Sequence, residues 1–429
     1  MPEAPPLEDA AAPHAELCEC PDCGLFQDLP DLRPGMVAEC VRCGAVLRKR
    51  RRDSHGTTLA LMLAGLALLE ITLLTPLMGF RFAGQERETS LGSLPAAYVG
   101  TGLWMLSVVV FATTIAAPLL KLLLTAGVLI GVRRTVAPST LTAMARARSW
   151  LTPWAMTEVF LLGMFVAYTR LGSIATVQVG LGLWAMGGLM LVMVAADAWL
   201  DEHALWEAIS RRRRTPAPSG TGQLIGCDTC GAVCRSAPGE PCPRCHSNLR
   251  VRKPESIARC WALLIGAAVL YIPSNMLPVM TVIRLARGQP STILGGVREL
   301  IEYQMWPLAV LVFTASIAVP MIKLILLTTM LVTTYRGSAS GLVQRTRLYR
   351  LVEAIGRWSM IDVFMVTILT SLVQMGVLAS VTPNPGVACF AGVVILTMLA
   401  ARSFDPRLMW DAAAERGHTV PLAANEAPA

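Results

Sequence analysis

Charge is scarce in this sequence. Asp, Glu, Lys and Arg supply only 15% of 429 residues, against 54% apolar residues, and that balance excludes an ordinary water-soluble domain. Strand-like alternation is lacking too. Residues 59–74 read LALMLAGLALLEITLL, a stretch apolar but for Glu70 and Thr72 with none of the period-two pattern of a β-barrel. No G-x-x-x-x-G-K-[ST] occurs, so the chain has no nucleotide-binding loop of its own and an ATP-driven process would need another subunit. The five histidines fall at spacings that suit neither a haem nor a catalytic metal. Nor is there a nucleophile–base set that would support a membrane enzyme. The first forty-odd residues hold no early apolar run behind a basic patch, so no cleavable signal peptide is expected. Residues 1–16, rich in Pro, Ala and acid, and residues 412–429 read as disordered tails.

Several apolar runs exceed the ~20 residues that cross a ~30 Å hydrocarbon layer. With no water there to satisfy backbone groups, such runs must be helices. Spans are expected near 57–80, 98–132, 156–171 and 174–200, and again near 257–283, 303–335, 358–381 and 386–401. The net charge of +8 is not a nucleic-acid footprint, because its clusters (48–52, 133–134, 146–148, 211–214, 250–253, 336–357, 402–407) flank these runs. Basic flanks mark cytoplasmic loops and attract anionic headgroups. Their placement puts both termini in the cytoplasm and residues 81–97 and 284–302 on the other side.

The two halves correspond. A shift of 202 residues carries Cys40 and Cys43 onto Cys242 and Cys245, Pro76 onto Pro278, Trp104 onto Trp306, Pro118 onto Pro320 and Lys121 onto Lys323. Further on, a shift of 204 carries Trp154 onto Trp358, Glu158 onto Asp362, Val159 and Phe160 onto Val363 and Phe364, and Trp206 onto Trp410. An even number of spans per half gives both halves one orientation, hence a parallel repeat about an axis near the membrane normal.

Each half opens with paired C-x-x-C knuckles: Cys20 and Cys23 with Cys40 and Cys43, then Cys227 and Cys230 with Cys242 and Cys245. Four thiolates so spaced wrap one tetrahedral ion, the zinc-ribbon arrangement. A reducing cytoplasm disfavours the alternative of disulfides or redox dithiols, although four-cysteine sites also suit iron. Four thiolates leave no open coordination position, so two structural Zn2+ ions are expected. Gly24, Gly44 and Gly231 follow three knuckles, where the chain needs positive φ; His246 follows the fourth. Cys18 and Cys234 read as bystanders, and Cys260 and Cys389 as packing residues.

Charged positions inside the spans are the remaining signal: Glu70, Lys121 with Glu158, and Lys323 with Asp362. Such groups cost at least ~2.5–3.5 kcal/mol at mid-helix unless they face a cavity or a partner. Lys121 lies about 18 Å inward from Arg133, and Glu158 about 12 Å inward from Trp150 at 1.5 Å per residue, depths that suggest pairing. Both lysines follow a helix-kinking proline, Pro118 or Pro320, in a Pro-x-x-Lys pattern. The plain alternative is snorkelling to the headgroups.

The knuckles CPDCG, CVRCG, CDTCG and CPRCH, the segments PLLK and PMIK, and the pair WAMTEVF and WSMIDVF together resemble the paraquat-inducible protein A family over nearly the whole chain. That resemblance implies a bacterial inner-membrane protein that works with an MCE-domain partner, a tunnel across the periplasm, and loads or unloads phospholipids at its base. It also implies a tetraspanin-like arrangement of each four-helix unit. The expected fold is therefore an all-α polytopic membrane protein of two tandem modules: ribbon 17–52 with spans in 53–210, a linker at 211–222, then ribbon 223–253 with spans in 254–411. The competing expectation is a zinc- or redox-responsive membrane sensor or scaffold, for which eight spans are excessive.

The charge distribution generates a topological test. Cysteines placed at Gln85 and Gly288 should react with an impermeant thiol reagent added outside spheroplasts, as read by mass spectrometry of the labelled peptides. Cysteines at Ser139 and Ser338 should not, and the opposite pattern would invert the orientation.

Overall fold

The computed structural model describes residues 16–51, 54–82, 85–98, 101–134, 136–172, 176–211, 222–284, 287–374 and 379–417. Most of the expected tails, and of the linker at 211–222, lies outside these residues. Within them, Glu16 already opens a strand and helix continues to Glu415, so ordered structure reaches into the expected second tail.

The first ribbon consists of β1 (Glu16–Glu19) with β2 (Phe26–Leu29) and β3 (Val37–Glu39) with β4 (Val46–Lys49). The first module then runs α1 (Ser54–Leu74), β5 (Pro76–Phe82), β6 (Gln85–Ser90), α2 (Trp104–Phe111), α3 (Ala117–Arg133), α4 (Pro138–Leu151), α5 (Thr157–Gly172), β7 (Thr176–Val179), α6 (Leu181–Trp199) and α7 (Glu202–Arg211). The second ribbon holds β8 (Gln223–Gly226) and β9 (Val233–Ser236). The second module follows the order of the first: α8 (Ser256–Met276), β10 (Met280–Arg284), β11 (Arg287–Ser291), α9 (Ile293–Glu302), α10 (Trp306–Phe313), α11 (Val319–Tyr335), α12 (Leu342–Ile355), α13 (Ile361–Leu372), β12 (Ala379–Pro383), α14 (Pro385–Ser403) and α15 (Arg407–Glu415).

Seven helices among the described residues are long and apolar enough to cross a membrane, including the joined segments Trp104–Arg133, Pro138–Leu171 and Trp306–Tyr335. The expected eighth, near 358–381, falls short. Its helix α13 has 12 residues, follows a 3-10 turn at Gly356–Met360, and is buried at every position but Ser371. Enclosed by protein, it presents little side chain to lipid and need not match a bilayer's thickness.

The expectation of an all-α fold is corrected at the end opposite the ribbons. There β5 pairs with β6 and β7, and β10 with β11 and β12, as two three-stranded antiparallel sheets. Of residues 81–97 and 284–302 the sequence says only that they lie on the other side from the termini. Where the chain leaves its helices, backbone groups still need partners, and the hairpins supply them while Leu77, Met78 and Phe80 are buried beneath.

Both modules carry one π-helical turn, Ala112–Ala116 and Thr314–Ala318, immediately before Pro118 and Pro320. A proline cannot donate to the carbonyl four residues back, and the widened turn absorbs that defect. The Thr114 and Ser316 hydroxyls return to the carbonyls of Val110 and Val312 at 2.8 and 2.6 Å.

The modules meet along α5 and α13 and share one apolar core. Phe160 and Phe364, counterparts under the 204-residue shift, pack edge to face with centroids 5.5 Å apart. Gly163 permits the approach: a Cβ there would lie 3.1 Å from the Phe364 Cβ and 3.2 Å from the Ile361 carbonyl. Replacing Gly163 by Val should therefore wedge the seam and cost about 1–3 kcal/mol, read as a lower midpoint in thermal unfolding of the purified protein. An unchanged midpoint would show that the seam is not close-packed.

Candidate metal centres and membrane-embedded charges

In each ribbon the knuckle turns on a residue of positive φ: Gly24 at 69°, Gly44 at 67°, Gly231 at 71° and His246 at 56°. Each donates its backbone N–H to the first cysteine carbonyl of its knuckle at 2.8–2.9 Å. The thiols converge as a result. Cys20 lies 3.6 Å from Cys43 and Cys23 3.5 Å from Cys40, sulfur to sulfur. In the second ribbon Cys227 lies 3.4 Å from Cys245 and Cys230 3.7 Å from Cys242. Four ligands at ~2.3 Å around a tetrahedral ion stand ~3.8 Å apart, whereas a disulfide needs ~2.05 Å. Both buried quartets thus fit a four-coordinate metal ion. Cys18 and Cys234 lie outside the quartets, and Cys260 donates to the Ala400 carbonyl at 3.4 Å.

The ribbons dock crosswise. Cys20, Cys23, Cys40 and Cys43 belong to one buried cluster with Leu264, Leu327, Tyr349 and Trp410 of the second module. Arg350 of α12 donates to the Cys43 and Gly44 carbonyls at 2.7 and 3.0 Å, and Arg42 lies over the Trp410 ring. The second ribbon's cysteines pack instead with Val128, Leu129, Leu141 and Trp206 of the first module.

A charge cluster joins the two ribbons. Glu19 accepts from the Gly226 N–H at 2.7 Å and pairs with Arg407 and Arg252 at 3.2 and 3.3 Å. Arg407 also reaches Asp405 and Asp228, each at 3.0 Å. Burial pushes the Asp405 carboxyl up, but the Arg407 hydrogen bonds and charge prevail and hold it below the usual carboxylate range. For Arg407 burial works against the cation, and the Asp405, Asp228 and Glu19 carboxylates more than restore it. Because the folded Asp405 value lies below the unfolded one, its contribution is complete above about pH 4 and is lost as the pH falls through the depressed value.

Inside the spans the expected pairings differ from those observed. Lys121, 3% exposed, donates to Asp197 of α6 at 2.5 Å rather than to Glu158. The buried Arg148 stands 4.0 Å from the other Asp197 oxygen and 2.9 Å from Glu202. Glu158 instead crosses the seam to Arg357 at 3.2 Å. In the second module Lys323, 2% exposed, donates to the Gly356 carbonyl at 2.9 Å, and no carboxylate pairs with it among the described residues. Asp362 is buried elsewhere, beside Arg170, Ser291 and Gly296 at a small cavity, and its Oδ1 makes no hydrogen bond among the described residues. Glu70 is exposed one turn from the end of α1. Asp197 was legible as an acid inside an apolar run but went unread, and nothing local in the sequence marked Arg357, Glu19 or Arg407 as partners.

A 340 Å³ cleft opens at the ribbon end between the modules, lined by Thr152 and Pro153 of the first, by residues of α12 and α14 of the second, and by Lys323.

The metal quartets and the charge cluster each generate a test. Elemental analysis should find about two zinc per chain by the ligand count, and Cys40→Ser with Cys43→Ser should remove about one of them. A metal-free, well-folded protein would contradict this. Arg407→Met should leave the buried Asp405 carboxylate without a counter-ion, and Glu19 with Arg252 alone, at a cost of about 3–5 kcal/mol, seen as faster amide exchange in both ribbons; unchanged exchange would show that the cluster holds nothing in place.

The family description "Paraquat-inducible protein A" matches residues 56–210 and 257–414. The chain is 34% identical over 413 residues to the "Intermembrane transport protein PqiA" of Escherichia coli K12, covering 93% of this chain and 96% of that one. It is 31% identical over 408 residues to the "Lipophilic envelope-spanning tunnel protein A" of the same strain, covering 93% and 92%. A "Probable intermembrane transport protein" of Haemophilus influenzae is 24% identical over 426 residues, covering 94% and 98%. No solved structure matches.

Proposed function

The chain belongs to the paraquat-inducible protein A family, and on that premise we propose that it serves an intermembrane lipid transport system from the bacterial inner membrane. In this reading both termini and both ribbons are cytoplasmic, each ribbon holds one structural zinc, and the two sheets face the periplasm. An MCE-domain tunnel protein docks on that face, and the chain loads or unloads phospholipids at the tunnel's base. The printed names of its relatives support transport between membranes. Its apolar helices suit an integral membrane protein.

The observation that carries the reading is the set of charges buried in or beside the spans: Lys121, Lys323 and Asp362, nearly inaccessible, with the partly exposed partners Asp197 of Lys121 and Glu158 of Arg357. A plain anchor has no use for groups so costly to insert, and such groups usually mark a path for substrate or protons. Glu158 and Asp362 at the seam, with Lys121 and Lys323 behind the π-helical turns, are the proposed polar transport site. Without a nucleotide-binding loop, the energy comes from passive exchange, a proton gradient or another subunit.

The alternative, a zinc- or redox-responsive scaffold, draws on the crosswise docking, which would carry a change at a ribbon into the opposite module. Complementation of a transport-deficient strain, with membrane abundance measured in parallel, separates the two. Lys323→Met and Asp362→Asn should each impair lipid transfer at normal abundance. Full transfer in both variants would remove the polar site, and a wild type that restores no lipid transfer at normal abundance would favour the scaffold, which transports nothing.

A further inference from the structure

The two halves solve the same electrostatic problem differently. Lys121 sits against the Asp197 carboxylate at 2.5 Å, with Arg148 4.0 Å beyond it. Under the 204-residue shift that carries Asp201 onto Asp405 and Trp206 onto Trp410, Asp197 falls on Ala401 and Arg148 on Val352. Ala401 and Val352 both line the 340 Å³ cleft, and Lys323 is part of its wall. The second half thus keeps the buried lysine, lacks its counter-ion, and has open space at the position the counter-ion would occupy.

The rest of the lining points the same way. Four cationic side chains, Lys323, Arg350, Arg357 and Arg402, face the cleft against a single acid, Glu353. Arg350 and Arg357 are anchored to Asp22 and Glu158, while Arg402, like Lys323, makes no ion pair among the described residues. An ammonium offers three donors, and Lys323 spends one on the Gly356 carbonyl. Basic pockets between spans at the cytoplasmic side suit phosphate headgroups, and the remaining wall, with Val352, Met398 and Ala401, suits the apolar part of an amphiphile.

We propose that this cleft is a phosphate-binding site, in which the phosphate of an anionic amphiphile takes the place that the Asp197 carboxylate holds in the first half. The lipid source of that phosphate rests on the transport reading above; the anion site itself does not. The ligand supplies the missing negative charge, and its oxygens accept the lysine donors left over by Gly356 in charge-assisted hydrogen bonds. The first half, already neutralised, has no such site.

Native mass spectrometry of the full-length, delipidated protein in detergent tests this, with phosphatidylglycerol, phosphatidylcholine and inorganic phosphate as separate titrants. Wild type should bind one phosphatidylglycerol in preference to phosphatidylcholine. Ala401→Asp, which rebuilds the first half's pair from within, should weaken phosphatidylglycerol binding by about tenfold or more without lowering thermal stability. Ala401→Asn, of equal size but neutral, should weaken it much less. Equal binding by wild type and Ala401→Asp would overturn the proposal, and so would equal losses from Asp and Asn, since bulk alone would then explain them. If inorganic phosphate binds in an Ala401→Asp-sensitive way while phosphatidylglycerol does not, the ligand is a soluble phosphate and the lipid assignment falls. Lipid transfer is not read in this assay, so a protein that binds as expected yet transfers nothing fails the transport reading and keeps the site.

Discussion

A lysine ammonium cannot rest in hydrocarbon without a partner, at a cost of at least ~2.5–3.5 kcal/mol at mid-helix, and both halves of this protein enclose one. Each lysine follows a π-helical turn and a proline on the second span of its module. That placement turns Lys121 and Lys323 into the protein interior, where each is nearly inaccessible. Packing around them then has to supply an acceptor. In the first module it is a carboxylate, Asp197, and in the second a backbone carbonyl, Gly356. A carbonyl satisfies a hydrogen bond but not a charge. The consequence is an open cationic cleft in one module and a closed ion pair in the other, from one aspartate standing where its counterpart is alanine.

The modules are not independent beads on a membrane. Their seam is pinned at several levels: by Glu158 with Arg357, by the aromatic contact of Phe160 and Phe364, by Tyr98 hydrogen-bonded to Thr367 at 2.7 Å, and by Arg170 with Glu299 at 3.3 Å. Beyond the spans, each ribbon packs on the module that it does not precede, and the Glu19–Arg407 cluster locks one ribbon to the other. A change in the angle between modules would have to break contacts at the seam or at the ribbons. The cleft beside Lys323 sits where these two sets of constraints meet, since Arg350 ties its rim to the first ribbon and Arg357 ties it to the seam.

Features written in local spacing were legible in the sequence. Paired knuckles, positive-φ turns and seven of the eight apolar runs depend on residues a few positions apart, and the described residues show them near their expected places. What the sequence could not display is partnership over distance. Lys121 finds Asp197 76 residues away, and Arg350 meets the Cys43 carbonyl across 307, so depth along a helix suggested Glu158 where a neighbouring helix offered something nearer. The crosswise docking of the ribbons was invisible for the same reason. The sheets were missed because β6 is largely exposed and polar, QERETS, and gives no alternating apolar face. Helix α13 was overextended because its apolar run continues past Leu372, where the chain leaves the helix at Val373.

One module carries a buried cation awaiting an external anion, while the other is self-neutralised. A cryo-electron microscopy map of the full-length protein in nanodiscs containing phosphatidylglycerol, at a resolution that shows side chains, tests this difference. Headgroup density should lie within hydrogen-bonding distance of the Lys323 ammonium, in the cleft bordered by Ala401, with continuous Lys121–Asp197 contact and no such density in the first module. A cleft collapsed onto Lys323, or headgroup density beside Lys121 with Asp197 turned away, would contradict it.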